Sequence, residues 1–153
     1  MTVRKATLKD IFDITVLLRE FTREACEHNM SRVKFDPEHV KLFIEACINV
    51  ENSEVFVFEN SDQEIHGLMI CAISPSLLSE ELSAFEVFWY CDAKYRGSPA
   101  GIRLYKAYEQ WAKSKGATTM NVSRIHGIED DRMENLYEKL GLRKREIAYA
   151  KEI

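Results

Sequence analysis

The chain has 153 residues, 46% of them hydrophobic and 30% charged, and its formal net charge is −4. This length and composition predict one folded domain over residues 1–153 with a full hydrophobic core. A slightly acidic chain is not expected to bind nucleic acid, which favours a basic surface. The N-terminus shows no signal sequence, and no apolar run approaches the roughly 18 residues that span a membrane. We therefore expect a cytoplasmic protein with no membrane partner, and a homodimer is compatible with this composition.

The four cysteines and four histidines are spaced too irregularly to suggest a metal site. Cys26, Cys47, Cys71 and Cys91 are widely separated, and none belongs to a Cys-x-x-Cys pair of the kind that binds zinc. Each cysteine lies in an apolar segment, where a small buried thiol is the usual outcome. We expect no metal cofactor and a reducing compartment.

The first half of the chain predicts one strand and two helices. A short strand over Thr2–Ala6 is followed by Thr7–Asp10, which resembles a helix capping box with Asp in the place of Glu. Apolar residues at helical spacing predict an amphipathic helix from Ile11 to about Cys26. A polar connection covers His28 to Phe35, and Asp36-Pro37 then predicts the start of a second helix.

The second half of the chain predicts the rest of an α/β fold. The predicted elements, in chain order, are strands over 54–59, 65–73 and 82–91, a helix over Ala100–Lys115 closed by Gly116, a strand over Thr118–Ser123, a helix from Asp130 or Asp131 to Gly141, and a last strand over Leu142–Lys151. Three successive strands followed by alternating helix and strand indicate a mixed central sheet flanked by helices, in the order β-α-α-β-β-β-α-β-α-β.

The most informative segment is the strand that ends at Cys91 and leads through Arg96–Gly101 into the third helix. A glycine-containing turn that opens directly onto a helix presents unpaired N–H groups and the positive end of the helix dipole, which together favour a phosphate. The strand is apolar and aromatic from Ala84 to Tyr90 except for Glu86. A phosphate-binding turn and a candidate general base therefore lie on one strand–helix unit, which indicates a transferase that uses a pyrophosphate-bearing cofactor.

The order of elements and this turn resemble the GNAT superfamily of N-acyltransferases, including its short stand-alone members, some of them encoded by phages. The family signature Arg/Gln-x-x-Gly-x-Gly/Ala binds the pyrophosphate of acetyl-CoA. Arg96-Gly97 and Gly101–Leu104 match its start and its end, whereas Pro99 stands where glycine is usual. Since proline has no N–H, the turn is expected to keep its shape with one donor fewer.

A second motif lies in the fourth helix. Asn135 to Leu142 resembles the family's Tyr-x-x-x-Gly-Phe run, with leucine in the place of phenylalanine. The resemblance implies that Tyr137 protonates the leaving CoA thiolate, and that Glu86, ten residues before Arg96, is the general base. It also implies cofactor contacts along the strand end and the turn. These residues are Trp89, Tyr90, Cys91, Arg96, Gly97, Ser98, Ala100, Gly101 and Ile102.

These features predict an acyl-CoA-dependent N-acetyltransferase that moves an acetyl group from acetyl-CoA to a primary amine by direct attack. The acceptor is expected to be a small molecule or a protein amine. The alternative is a non-catalytic GNAT-fold binding or virion-associated protein with weak or no use of acetyl-CoA, and Pro99 is the residue that keeps it open. For Glu86 the alternatives are an outward-facing or ion-paired carboxylate, with a water chain as the base. For Tyr137 the alternative is a core residue with a satisfied hydroxyl.

Overall fold

A mixed sheet forms the centre of the protein in a computed structural model that describes residues 1–28, 33–151 and 153. Within these residues the sheet has five strands in the order of the sequence, and only the last pair is parallel. The strands are β1 (Thr2–Lys5), β2 (Ser53–Glu59), β3 (Ile65–Pro75), β4 (Leu82–Cys91) and β5 (Thr119–Asn121).

Helices cover both faces of the sheet. They are α1 (Ile11–His28), α2 (Pro37–Asn49), α3 (Ala100–Ser114) and α4 (Asp130–Lys139). Because strand side chains alternate between faces, Val55 and Val57 of β2 pack in the core under α1 and α2, whereas Phe56 and Phe58 pack in the core under α3. The predicted α/β class, with a mixed sheet flanked by helices, is confirmed.

Local capping signals begin two of the helical segments where the sequence predicts, whereas α4 is preceded by Glu129 and not capped by Asp130 or Asp131. The carboxylate of Asp36 accepts hydrogen bonds from the backbone N–H groups of Glu38 and His39 at 3.0 and 3.2 Å, and Pro37 occupies the first helical position. The capping box of Thr7 and Asp10 is also present, at the start of a short 3-10 helix that leads into α1. The predicted connection over His28–Phe35 includes residues 29–32, which lie outside the described residues.

A β-bulge in β4 decides which side chains face α3. Ile70 of β3 pairs with Phe88, but the next residue, Cys71, pairs with Glu86, so Val87 is an extra residue in β4. Val87 and Phe88 both pack on the α1–α2 side. Glu86 therefore lies on the opposite side of the sheet, toward α3 and α4.

The edge of β4 is paired only in its first part. β5 pairs with β4 at Ser83–Phe85 and nowhere further along, so residues 86–91 have no neighbouring strand on that side in the described chain. The backbone groups on that side of the stretch have no strand partner where β4 and β5 diverge, and the Cys91 carbonyl accepts a bond from the Arg96 side chain instead. This divergence creates the opening in which the candidate site lies.

The predicted last strand over Leu142–Lys151 is wrong. Residues 142–151 form no strand, and the side chains of Ile147 and Tyr149 are 67% and 93% exposed. A strand needs a partner edge, and β5 offers only three residues. Three cationic residues at the start of the segment, 143–145, also favour water over a packed sheet. None of the helices described is long and apolar enough to cross a bilayer.

Candidate functional site

A cavity of about 690 Å³ opens where β4 and β5 diverge, between the free edge of β4, the turn into α3, and α4. Most of the residues predicted to bind the cofactor or to act in catalysis line it. They are Trp89, Tyr90, Cys91, Arg96, Gly97, Ser98, Gly101, Ile102 and Tyr137. Two predicted residues, Glu86 and Ala100, are not among its lining residues.

The turn between β4 and α3 keeps three free backbone donors. The N–H of Ser98 bonds to the carbonyl of Tyr95, and the N–H of buried Ala100 bonds to the Ser98 hydroxyl at 3.2 Å. The N–H groups of Gly97, Gly101 and Ile102 have no acceptor among the described residues. Pro99 is the N-cap residue of α3 and adopts helical backbone angles, so the turn still leads directly into the helix.

The two glycines of this turn have different roles. Gly97 has φ +87°, a left-handed conformation that side-chain-bearing residues rarely adopt. At Gly101 an added Cβ would meet the Trp89 ring at 3.7 Å, an ordinary contact, so the protein itself does not require glycine there. The missing side chain leaves room for a ligand to approach the backbone.

The guanidinium of Arg96 forms an ion pair with a glutamate of α1. Its Nη2 lies 2.6 Å from Oε2 of Glu24, its Nε donates to the carbonyl of Cys91 at 3.0 Å, and its guanidinium lies over the Tyr90 ring. The Tyr90 hydroxyl donates to the same glutamate at 3.2 Å, and burial together with the Glu24 charge raises the pKa of Tyr90 to about 12. Arg96 thus fastens α1 to the turn.

A buried histidine supports the turn from the β3 side. His66 Nδ1 lies 2.8 Å from a carboxylate oxygen of Asp92, and the Asp92 N–H donates to the His66 carbonyl at 2.9 Å. The imidazole also stacks on Tyr95 with ring centroids 4.7 Å apart. The residues that precede Arg96 are therefore held by both side-chain and backbone contacts.

Glu86 lies behind Ser123, which lines the cavity. The N–H and the hydroxyl of Ser123 both donate to Oε2 of Glu86, at 3.0 and 2.9 Å. Burial raises the pKa of Glu86, and the two bonds from Ser123 oppose that rise by favouring the carboxylate. Glu86 is not directed to an outer face, and it has no ion-pair partner within the part of the chain that the structure describes. Its route to the cavity runs through Ser123.

Tyr137 lies in the second half of α4, and its ring stacks on Trp89 with centroids 6.0 Å apart. Its hydroxyl donates to the carbonyl of Ser123 at 2.8 Å. Burial and the nearby charge of Glu86 raise the pKa of Tyr137, so its phenol keeps its proton at neutral pH. The structure thus brings Tyr137 to the cavity beside Trp89, with the hydroxyl satisfied by the protein.

Other residues that line the cavity have no role predicted from the sequence, and the polar ones include Glu24, Ser123, Arg132 and Asn135. Asn135 stands inside the motif of the fourth helix, and Ser123 ends the predicted strand before it. A polar residue directly after a strand is a weak signal for a site. Glu24 and Arg132 carry no local signal, since each reaches the turn only through the packing of its helix.

The sequence model of the acetyltransferase (GNAT) family matches residues 14–142, most of the chain and all of the cavity-lining elements. A comparison with curated proteins gives no significant match.

Solved structures with the same fold include acetyltransferases of different specificity. A ribosomal-protein-alanine N-acetyltransferase from Brucella melitensis biovar Abortus is 16% identical, with all of each chain covered and a TM-score of 0.71. A glucosamine-6-phosphate N-acetyltransferase from Arabidopsis thaliana is 17% identical over 99% of this chain and 97% of that one, with a TM-score of 0.76. A transcriptional regulator from Bacillus halodurans is 21% identical over 99% of both chains, with a TM-score of 0.79. At these identities the likeness concerns the fold.

Proposed function

This chain belongs to the GNAT family of acetyltransferases, and we propose that it transfers the acetyl group of acetyl-CoA to a primary amine by direct attack. The observation that carries the proposal is the convergence of three features on one cavity. They are a turn with free N–H groups at the start of α3, the unpaired edge of β4, and the phenol of Tyr137.

The turn fits the pyrophosphate of the co-substrate. The N–H groups of Gly97, Gly101 and Ile102 are available, and the positive end of the α3 dipole favours an anion at the same place. The edge of β4 at Trp89–Cys91 has no neighbouring strand, so its outward backbone groups, apart from the Cys91 carbonyl that accepts from Arg96, can bond to the amide groups of the pantetheine arm. Acetyl-CoA supplies the thioester, and the residues of the chain hold and orient it.

Proton transfer is assigned to the residues around Ser123. A primary amine must lose a proton to become an amide nitrogen, and Glu86 is the proposed final acceptor. Because Glu86 lies behind Ser123, the amine proton passes to the Ser123 hydroxyl while that hydroxyl passes its own proton to Oε2 of Glu86. Tyr137 turns its hydroxyl from the Ser123 carbonyl toward the departing sulfur and donates its proton there. The step leaves a protonated Glu86 and a Tyr137 phenolate, and transfer of that proton from Glu86 to Tyr137, directly or through solvent, restores both groups for the next turnover.

The non-catalytic alternative finds no support in this geometry. With Pro99 in place the turn still offers three free N–H groups, and both proposed proton-transfer residues lie at or behind the cavity wall. These features support the binding of CoA at this site.

Calorimetric titration of the purified protein with acetyl-CoA and with CoA tests the binding step, and a rise in melting temperature provides an independent readout. A panel of acceptors, from small amines to peptides with free N-termini or lysines, is then screened by the release of free CoA thiol. We expect saturable binding and thiol release with at least one acceptor class. Absence of heat, of competition by CoA and of a melting shift at millimolar ligand would overturn the proposal.

A further inference from the structure

Of the arginines that line the cavity, Arg96 and Arg132 lie beside the turn into α3, and each is paired with a glutamate. Arg96 pairs with Glu24 at 2.6 Å, and Arg132 pairs with Glu129 through Nη1 at 3.0 Å. The first pair is largely buried, since the side chains of Arg96 and Glu24 are 24% and 19% exposed. The second pair is partly in water, since those of Arg132 and Glu129 are 49% and 41% exposed. Arg132 can therefore leave its glutamate for a ligand more easily than Arg96 can.

Arg96 is held by more than its glutamate, since it also bonds to a carbonyl of β4 and lies over the Tyr90 ring. Among the described residues Arg132 forms hydrogen bonds only with Glu129, and an exposed ion pair of this kind contributes little to stability. Its Nη2 has no acceptor among the described residues. Arg132 is therefore the cation at the turn that is available to a ligand.

The guanidinium of Arg132 lies over the turn itself. Its Nη2 is 2.9 Å from the position that a Cβ at Gly97 would take. The N–H of Gly97 is one of the three free donors of the turn. A backbone donor and the Arg132 guanidinium therefore lie next to each other at Gly97. A planar guanidinium binds two phosphate oxygens at once, which an isolated N–H cannot do.

We propose that Arg132 binds the pyrophosphate of CoA by exchanging its ion pair with Glu129 for the phosphate oxygens. This inference rests on the proposed function. It assigns to α4 a cationic contact at a turn where Pro99 has removed one main-chain donor. Arg96 then serves as a positioning residue, which keeps α1 and the turn together while Arg132 meets the ligand.

Glu129 opposes binding in this scheme. It lines the same cavity, and it precedes α4 with φ +47°, a left-handed conformation uncommon for a residue with a side chain. In the free protein it neutralises Arg132. Once a pyrophosphate occupies the turn, the carboxylate becomes a nearby like charge. Removal of the Glu129 charge should therefore strengthen the binding of CoA.

Calorimetry of CoA binding tests the assignment without any knowledge of the acceptor. We expect Arg132→Ala to raise the Kd for CoA by about ten- to a hundredfold, the range for charge-assisted hydrogen bonds to a phosphate. Arg132→Lys should recover part of the loss, and Glu129→Gln should lower the Kd severalfold. Arg143→Ala, at an exposed arginine outside the cavity lining, is the matched control and should bind as the wild type does.

Ligand truncation distinguishes the two phosphate sites of CoA. If Arg132 binds the pyrophosphate, Arg132→Ala weakens CoA and 3′-dephospho-CoA by the same factor. A loss that disappears with 3′-dephospho-CoA would assign Arg132 to the 3′-phosphate and overturn the proposal. Equal affinities of the wild type and both Arg132 variants for CoA would also overturn the proposal for Arg132, but would leave the proposed function intact. Failure of the wild type to bind CoA would overturn both.

Discussion

Glu86 and Tyr137 are joined through one residue, Ser123, which donates two hydrogen bonds to the carboxylate and accepts one from the phenol. Both side chains have a raised pKa, mainly because they are buried, and the charge of Glu86 adds to the rise at Tyr137. An ionised Glu86 therefore favours a protonated Tyr137. Acyl transfer requires this combination, in which the Glu86 carboxylate can accept a proton and the Tyr137 phenol can donate one.

Glu86→Gln should lower kcat by about 10²-fold or more while the KM for acetyl-CoA changes little, because a base acts in the transition state and does not hold the cofactor. In the wild type, kcat should rise with pH through the raised pKa of Glu86, since only the carboxylate accepts a proton. Steady-state kinetics across pH provide the measurement. Glu45→Gln, at an exposed glutamate of α2, is the control. Wild-type turnover of the Glu86 variant at every pH would favour a water chain as the base.

The same residue links stability to pH. The folded protein holds the Glu86 proton more tightly than the unfolded chain, where an ordinary glutamate titrates near pH ~4.3. The stability that neutral Glu86 contributes is therefore present at low pH and is lost as pH rises through its raised folded pKa. We expect Glu86→Gln to gain stability relative to the wild type over that window, as measured by urea unfolding at successive pH values. A difference that is constant with pH would contradict the buried carboxylate.

Ser123→Ala removes the hydroxyl that connects Glu86 to the cavity and leaves the backbone N–H bond in place. We expect kcat to fall and the acidic limb of the pH profile to move to higher pH, because the carboxylate loses a donor that stabilises its charge. Ser123→Thr retains the hydroxyl and should keep most of the activity. A purely structural role for Ser123 would lower stability without moving the pH profile, so the profile is the deciding measurement.

Tyr137→Phe keeps the stacking on Trp89 and removes only the hydroxyl, with its bond to the Ser123 carbonyl. We expect stability to change little and turnover to fall by about 10²-fold or more, the usual range for one acid–base group. Thermal unfolding and steady-state kinetics of the same preparation separate the two effects. Tyr149→Phe, at a tyrosine that is 93% exposed, is the matched control. An active Phe variant would exclude Tyr137 as the proton donor.

The features predicted correctly from the sequence depend on neighbouring residues. The cap at Asp36 and the turn from Arg96 to Gly101 are each specified within a few positions, and the structure contains both. The last strand is different, because a strand forms only against a suitable edge, and the short β5 does not provide one. A local pattern of apolar residues does not reveal this shortage.

Sequence patterns also did not predict which side chains of different strands and helices come into contact. Strict alternation along β4 would put Phe88 on the same face as Glu86, whereas the bulge at Val87 puts them on opposite faces. The position of Arg132 over Gly97 depends on how α4 packs, and these residues are far apart in the chain. The ion pair between Arg96 and Glu24 likewise depends on how α1 packs against the turn.

The pair of Glu24 and Arg96 should be energetically coupled. Removal of either partner leaves a largely buried charge without its counter-charge, which we expect to cost about 1–3 kcal/mol of unfolding free energy. The double substitution to alanine should cost less than the sum of the single ones. Urea unfolding of the four proteins in this double-mutant cycle measures the coupling. Strict additivity would show that α1 and the turn are held by other contacts.

Substitution of Pro99 tests whether the turn is short of donors. Pro99 has φ −66° and helical backbone angles, which alanine adopts without strain, so Pro99→Ala restores an N–H while leaving the path of the chain unchanged. If that N–H faces the pyrophosphate, the Kd for CoA should fall severalfold. The unfolded chain gains freedom at the same time, so unfolding free energy should fall by about 0.4–1 kcal/mol. Pro99→Gly should show the same gain in binding with a larger loss of stability, because glycine adds still more freedom. Calorimetry and urea unfolding measure the two effects separately. Unchanged or weaker binding in both variants would mean that the proline shapes the start of α3 for its ligand, and that the three remaining N–H groups together with Arg132 suffice.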